Sequence, residues 1–242
     1  MVGSLPTTDG TAATATAGAL IILNRNGQVA ATLAGGDING PWDLTAASHG
    51  SRADLFFTNV LNGAVAAGGQ VVGHGTVVRL QLDLHGAVPR VVSNTVIGSG
   101  FPERTDPAAL VIGPTGVGLS DEGTLYVADT LDNTIRAIPN AVFRHSSAGT
   151  RRLVSSADPA ENGLNGPLGL AVAPNGDILT VNRDDGNILE TAPEGAQVAS
   201  RLLDNIGTPP GAGALFGLAV APHHHGVYFV DDVANALNLL SC

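Results

Sequence analysis

Four oxygen-bearing residues recur at matched places in this sequence. Asn59, Asp129, Asn182 and Asp231 each close a short apolar run, "DLFFTN", "TLYVAD", "DILTVN" and "GVYFVD". Carboxylates and amides drawn together around a central mouth can hold a hard cation such as Ca²⁺ through oxygen. The same side chains can instead accept backbone N–H groups in the turn that follows, as Asx turns do. Repetition in every unit favours that scaffold role, because a site needs one special residue and a fold needs the same one in each copy. Asn133, Asn187 and Asn235, four or five residues on, read as turn residues too. Trp42 and Asp43 do not repeat. Packing is one account of Trp42, and contact with a carbohydrate or aromatic ligand is the other. The ligand-binding candidates are therefore Trp42, Asp43, Asn59, Asp129, Asn182 and Asp231. Those able to hold a metal, with Ca²⁺ or Zn²⁺ as the ion, are Asp43, Asp129, Asn182 and Asp231.

Other strings carry less chemistry. His223, His224 and His225 stand where sister units place "SDEG" and "PNGD". Adjacent residues in a tight turn cannot all face one ion, so the run reads as a solvated turn, with adventitious Zn²⁺ or Ni²⁺ binding as the alternative. His74 and His85 have no Cys or His partner at ligand spacing, and His49 and His145 read as loop residues. Ser99 in "VIGSGF" and Ser120 in "GLSDEG" do not match the G-x-S-x-G nucleophile elbow. "GAGALFG" precedes a strand and offers a phosphate no helix N-terminus. No catalytic motif emerges.

Composition narrows the mechanisms further. The 242 residues include 32 Gly and 14 Pro, with 13% charged residues and no lysine. Schiff-base chemistry, a Walker lysine and a lysine general base are thereby excluded. A net charge of -10 argues against nucleic acid or an anionic membrane as partner, since both need clustered cations. Cys242 is the single cysteine, so no intrachain disulfide forms. No apolar run approaches the roughly 20 residues of a membrane span, and "MVGSLPTTDG" lacks a signal-peptide pattern.

The elements that would position these residues come from a repeat. "GPWDLTA", "GPTGVGL", "GPLGLAV" and "ALFGLAV" each precede one of the four runs above; polar turns join the pair, and third and fourth strands follow. Each unit predicts a four-stranded antiparallel meander, and such sheets stabilise by packing face to face around an axis, as blades of a propeller. Crowding of the first strands at that axis accounts for Gly116, Gly169 and Gly217, with Asp43 the exception. The expected fold is an all-β, single-domain propeller over residues 1–242. A partial blade covers 1–36, blades cover about 37–98, 110–156 and 163–206, and a partial blade covers 213–240. Five sheets are visible; a complete ring of six, with an N-terminal blade missing, is expected, and the open edges invite homo-oligomers.

Two faces follow from the meander. Turns between first and second strands lie on one, and the Asn/Asp column lies on the other. Two insertions, Val60–Thr76 and Ile97–Gly113, lengthen the first full unit to about 73 residues against roughly 50 for the rest. Extra loop length on the column's face is where binding specificity is expected.

The GPxGLAV, LYVAD, N-x-I and GxVxTLAG order resembles the NHL-repeat and SMP-30-like β-propellers over nearly the whole chain. That resemblance implies the fold, while the scaffold hosts lactonases, lyases and carriers alike. SMP-30 lactonases hold a divalent cation with carboxylates and amides on inner strands. The matching positions here are Trp42-Asp43, Thr115-Gly116, Leu168-Gly169 and Phe216-Gly217, and only Asp43 could serve. The leading expectation is a non-catalytic, bacterial-like, NHL-like propeller, secreted or periplasmic in the full-length protein. It would bind a small molecule or protein on the insertion face, without membrane insertion. The alternative is a metal-dependent lactonase, other hydrolase or lyase at the central channel. A structural or assembly module is the third possibility.

Overall fold

Apolar runs five or six residues long, cut by Gly-containing turns, become strands. Four hairpin turns share one geometry. Asn24, Ser120, Ala173 and Ala192 each donate N–H to the carbonyl four residues on and accept from a glycine three residues on: Gly27, Gly123, Gly176 and Gly195. All four glycines have positive φ, between 74° and 105°, a conformation that other L-residues adopt only at a cost. The glycine of the polar turns "SDEG" and "PNGD" is thus a requirement of the backbone.

The structure is a computed structural model that describes residues 1–86, 88–156, 158 and 163–241. Its chain falls into two compact units, one formed by Met1–Pro114 with Asn140–Thr150, the other by Thr115–Pro139 with the residues from Arg151 onward. In the first unit, β1 (Val2–Ser4), β2 (Ala19–Leu23) and β3 (Val29–Ala34) form one antiparallel sheet. A second is built in the order β4 (Pro41–His49), β5 (Arg52–Asn59), β6 (Val72–Asp83), β7 (Arg90–Asp106) and β8 (Leu110–Ile112). In the second unit, β9 (Pro114–Leu119), β10 (Leu125–Asp129), β11 (Thr134–Ile138) and β12 (Arg152–Ser155) make one sheet. β13 (Pro167–Val172), β14 (Ile178–Asn182), β15 (Asn187–Thr191) and β16 (Gln197–Leu202) make the next, and β17 (Leu215–Val220), β18 (Gly226–Asp231) and β19 (Ala236–Ser241) the last. The five expected antiparallel sheets are all present. No helix among the described residues is long and apolar enough to cross a membrane.

The sheets bury apolar faces against each other. Leu55, Phe57, Val78 and Leu80 pack with Leu20 and Ile38 in the first unit. Tyr126, Ile135, Leu170, Ile178 and Leu189 form a core in the second, and Val181, Ile188, Leu215 and Phe229 another. Each such side chain contributes about 1.5–3 kcal/mol on full burial.

The first strands of three sheets carry the same bulge. Three residue steps on β4 face two on β5 between Pro41 and Leu44, and the same shift occurs at Pro167/Leu170 and Leu215/Leu218. Asp43, Gly169 and Gly217 sit within these bulges. A Cβ on Gly169 would strike the Phe216 carbonyl oxygen, and one on Gly116 would lie 2.5 Å from Leu168 O and Leu170 N. Crowding therefore explains Gly116 and Gly169. At Gly217 the nearest atom would be Val230 Cγ2 at 3.5 Å, an ordinary contact, so crowding does not account for that glycine.

Two further sequence expectations need correction. Residues 97–113 are largely strand: β7 continues to Asp106 and pairs with β8, while β6 already starts at Val72. Register shifts at Gly75 and between Val77 and Val78 take up the irregular steps as bulges and let the ladder continue. Asn187 is the first residue of β15, and Gly186 (φ 69°) takes the left-handed turn position that Asn133 (55°) and Asn235 (50°) hold in sister units.

Candidate functional site

The insertion of the first unit grows from a network of amides. Asn59, at the end of β5, accepts N–H groups from Asn39 and Gly40 at 3.1 Å each and donates through Nδ2 to Asp37 O and Thr76 Oγ1. Asn39 Nδ2 donates to Leu61 O and to Asn62 Oδ1, and Asn62 Nδ2 donates to His74 O. The loop between β5 and β6 is thereby fixed to the strand ends that carry it. Gly40 is required at this joint, since a Cβ there would lie 2.6 Å from Leu61 Cβ.

Trp42 packs from β4 toward the same loop, half-buried against the Ala15, Val60, Leu61 and Val111 cluster. Its neighbour Asp43 accepts the Leu44 N–H at 2.8 Å, and its own N–H donates to Thr58 Oγ1. Trp42, Asp43 and Asn59 thus belong to the first unit, and Asp129, Asn182 and Asp231 to the second.

In the second unit Asn182 repeats the role of Asn59, accepting from Asn165 N–H and donating to Gly163 O and Asp185 Oδ2. Asp231 accepts the Ala234 N–H at 2.9 Å. Asp129 is different: Oδ1 meets the Asp132 N–H at 3.5 Å, while Oδ2 is buried without a partner. Burial, and then the nearby Asp132 carboxylate, pushes its pKa up to about 7. Among the described residues, no three His, Cys, Asp or Glu side chains gather where they could hold a metal ion. The triple-histidine turn places the His223 and His225 rings 6.2 Å apart and tilted, with both residues exposed.

The added strands bring forward a residue that sequence reasoning missed. Glu103, on β7 opposite Val72, is wholly buried, and neither carboxylate oxygen has a partner in good hydrogen-bonding geometry. Burial, partly opposed by the Asn62 backbone N–H, pushes its pKa up to about 8, so the acid is mostly protonated at neutral pH. Next to it, Arg104 pairs with buried Asp106 at 3.0 Å, and Asp106 caps the turn to β8 by accepting the Ala108 and Ala109 N–H groups. Within "GFPERTD" nothing in residue type separates Glu103 from Asp106; only the strand's alternation, hidden by the glycines before it, could have pointed inward.

No known family profile and no curated protein matches this chain. Solved structures do. A gluconolactonase from Xanthomonas campestris aligns with 89% of this chain and 62% of its own, at 19% identity and a TM-score of 0.53. Luciferin-regenerating enzyme aligns with 95% of this chain and 70% of its own, at 14% identity and 0.55. The fold is a β-propeller. A catalytically inactive virginiamycin B lyase from Staphylococcus aureus, solved with quinupristin, aligns with 93% of this chain at 11% identity and 0.51. The propeller chain spans 62% of the length of both that lyase and the gluconolactonase.

Proposed function

We propose that this β-propeller is a binding protein that takes a ligand or protein partner at the insertion-bearing end of its β4–β8 sheet. Glu103 carries this reading. A buried carboxyl group with the Asn62 backbone N–H beside it but no partner in good geometry costs free energy that ordinary folding does not return, and a hydrogen-bonding group supplied from outside the chain would offset it. The amide network around Asn39, Asn59 and Asn62 supports the reading by holding the neighbouring loop in one conformation, so little order is lost on binding. A thermal-shift screen of amines, polyols and lactones tests it. A stabilising compound should lose its effect both in Glu103→Gln and in a variant with the Val65–Gln70 loop shortened. Stabilisation that survives both changes would sink the proposal.

A second reading, a metal-dependent lactonase or lyase, is favoured by the gluconolactonase and virginiamycin B lyase likenesses. Two of the four metal candidates, Asn182 and Asp43, fit such a metal poorly, while Asp129 Oδ2 has no partner. Both ends of the Asn59 and Asn182 amides are engaged, mostly with backbone, and Asp43 Oδ1 accepts the Leu44 N–H. Stoichiometric Ca²⁺ or Zn²⁺ in untagged protein would count for this second reading.

A further inference from the structure

The β5–β6 ladder runs from Asn59 opposite Thr76, at the insertion, to Arg52 opposite Asp83, seven steps or roughly 23 Å away. From the middle of the ladder toward that far end runs a cluster the proposed function does not use. Asp54 and Arg79 project from the two strands and are both buried. Arg79 Nη1 donates to Ala141 O at 3.3 Å and also to Val142 O, and its Nε lies 3.7 Å from Asp54 Oδ1. The other carboxylate oxygen, Asp54 Oδ2, lies 3.6 Å from His49 Nε2.

Above this group opens a cleft of about 290 Å³, with Val92, Val142 and Phe143 as its apolar walls and His49, Arg52 and Gln81 among its polar lining. Its volume is near the lower limit for small-molecule sites, which restricts it to a small occupant. Apolar walls with a few convergent polar groups are the composition such sites have. Phe143 and Val92 are 78% and 60% exposed, so the walls stand ready to be covered.

Charge decides the class of occupant. Arg79 balances Asp54, and Asp83 beside the cleft is already paired with Arg90 and His85. Arg52 is exposed and forms no ion pair among the described residues, which leaves the mouth cationic in a chain of net charge -10. We propose that this cleft binds a small organic anion, a carboxylate carrying an aromatic or apolar group. The carboxylate would meet the Arg52 guanidinium and His49, and the apolar body would lie on Val92, Val142 and Phe143. Asp54 and Arg79 are positioning residues: one steadies His49, the other holds the backbone that carries Phe143.

Benzoate is the probe, with benzylamine as its cationic counterpart, each titrated into isotope-labelled protein and followed by amide NMR shifts. Benzoate should give saturable shifts at residues 49–54, 81, 92 and 142–143, and Arg52→Ala should weaken it by about tenfold or more. Arg52 is exposed, so that variant keeps the fold, which its own spectrum verifies. Absence of saturable shifts with benzoate, equal or tighter binding of benzylamine, or unchanged affinity in Arg52→Ala would each overturn the proposal.

Discussion

Arg79 Nε stands 3.7 Å from Asp54 Oδ1 with both side chains buried in one sheet. Removing one charge strands the other. Arg79→Met should destabilise the protein by about 3–5 kcal/mol, whereas adding Asp54→Asn should restore a large part of that loss. Urea denaturation of the two single variants and the double variant measures the coupling.

Asn59 uses both ends of its amide, accepting from Asn39 and Gly40 and donating to Asp37 O. Asn59→Ala should cost about 1–3 kcal/mol by leaving buried groups unpaired. Asn59→Asp keeps the acceptor and loses the donor, so it should also destabilise. A fully stable Asp variant, read by the same melts, would contradict this hydrogen-bond assignment.

Glu103 has a folded pKa raised to about 8 from an ordinary value of 4.5. Above pH 4.5 the unfolded chain releases this proton while the folded chain keeps it. The contribution to stability is therefore full below about 4.5 and is lost as pH rises toward and through 8. Glu103→Gln should flatten that part of the melting temperature's pH dependence. Asp129, raised from 3.8 to about 7, adds a fall of the same sign, so Asp129→Asn should flatten the profile further. Scanning calorimetry between pH 4 and 9 checks both slopes.

Gly116 and Gly217 occupy comparable places yet should respond differently. Gly116→Ala forces a Cβ to 2.5 Å from the Leu168 carbonyl oxygen, and overpacking of that kind costs about 1–3 kcal/mol or more. Gly217→Ala meets only Val230 Cγ2 at 3.5 Å, so it should be nearly neutral. Equal losses in thermal melts of the two variants would refute the distinction.

Periodicity made the fold legible. Four copies of a two-strand pattern with glycine-closed turns were enough to predict five antiparallel sheets, because turn conformation and strand alternation are local properties that few residues can satisfy. The glycine at position 116 was likewise readable as crowding. Strand length in the insertion was not: bulges at Gly75 and in the neighbouring steps break the alternation that would have marked β6 and β7 as continuous.

The sequence by itself determined most of the strands and their turns, and that this chain has no lysine chemistry and no intrachain disulfide. Only the tertiary structure decided which polar residues are buried together. Asp54 meets Arg79 across one ladder, and Arg79 reaches the Ala141 and Val142 carbonyls 62 and 63 positions along the chain. Glu103 is buried on β7 where that strand pairs with Val72 of β6. Burial and long-range pairing depend on how sheets pack, and no local pattern in the chain records that.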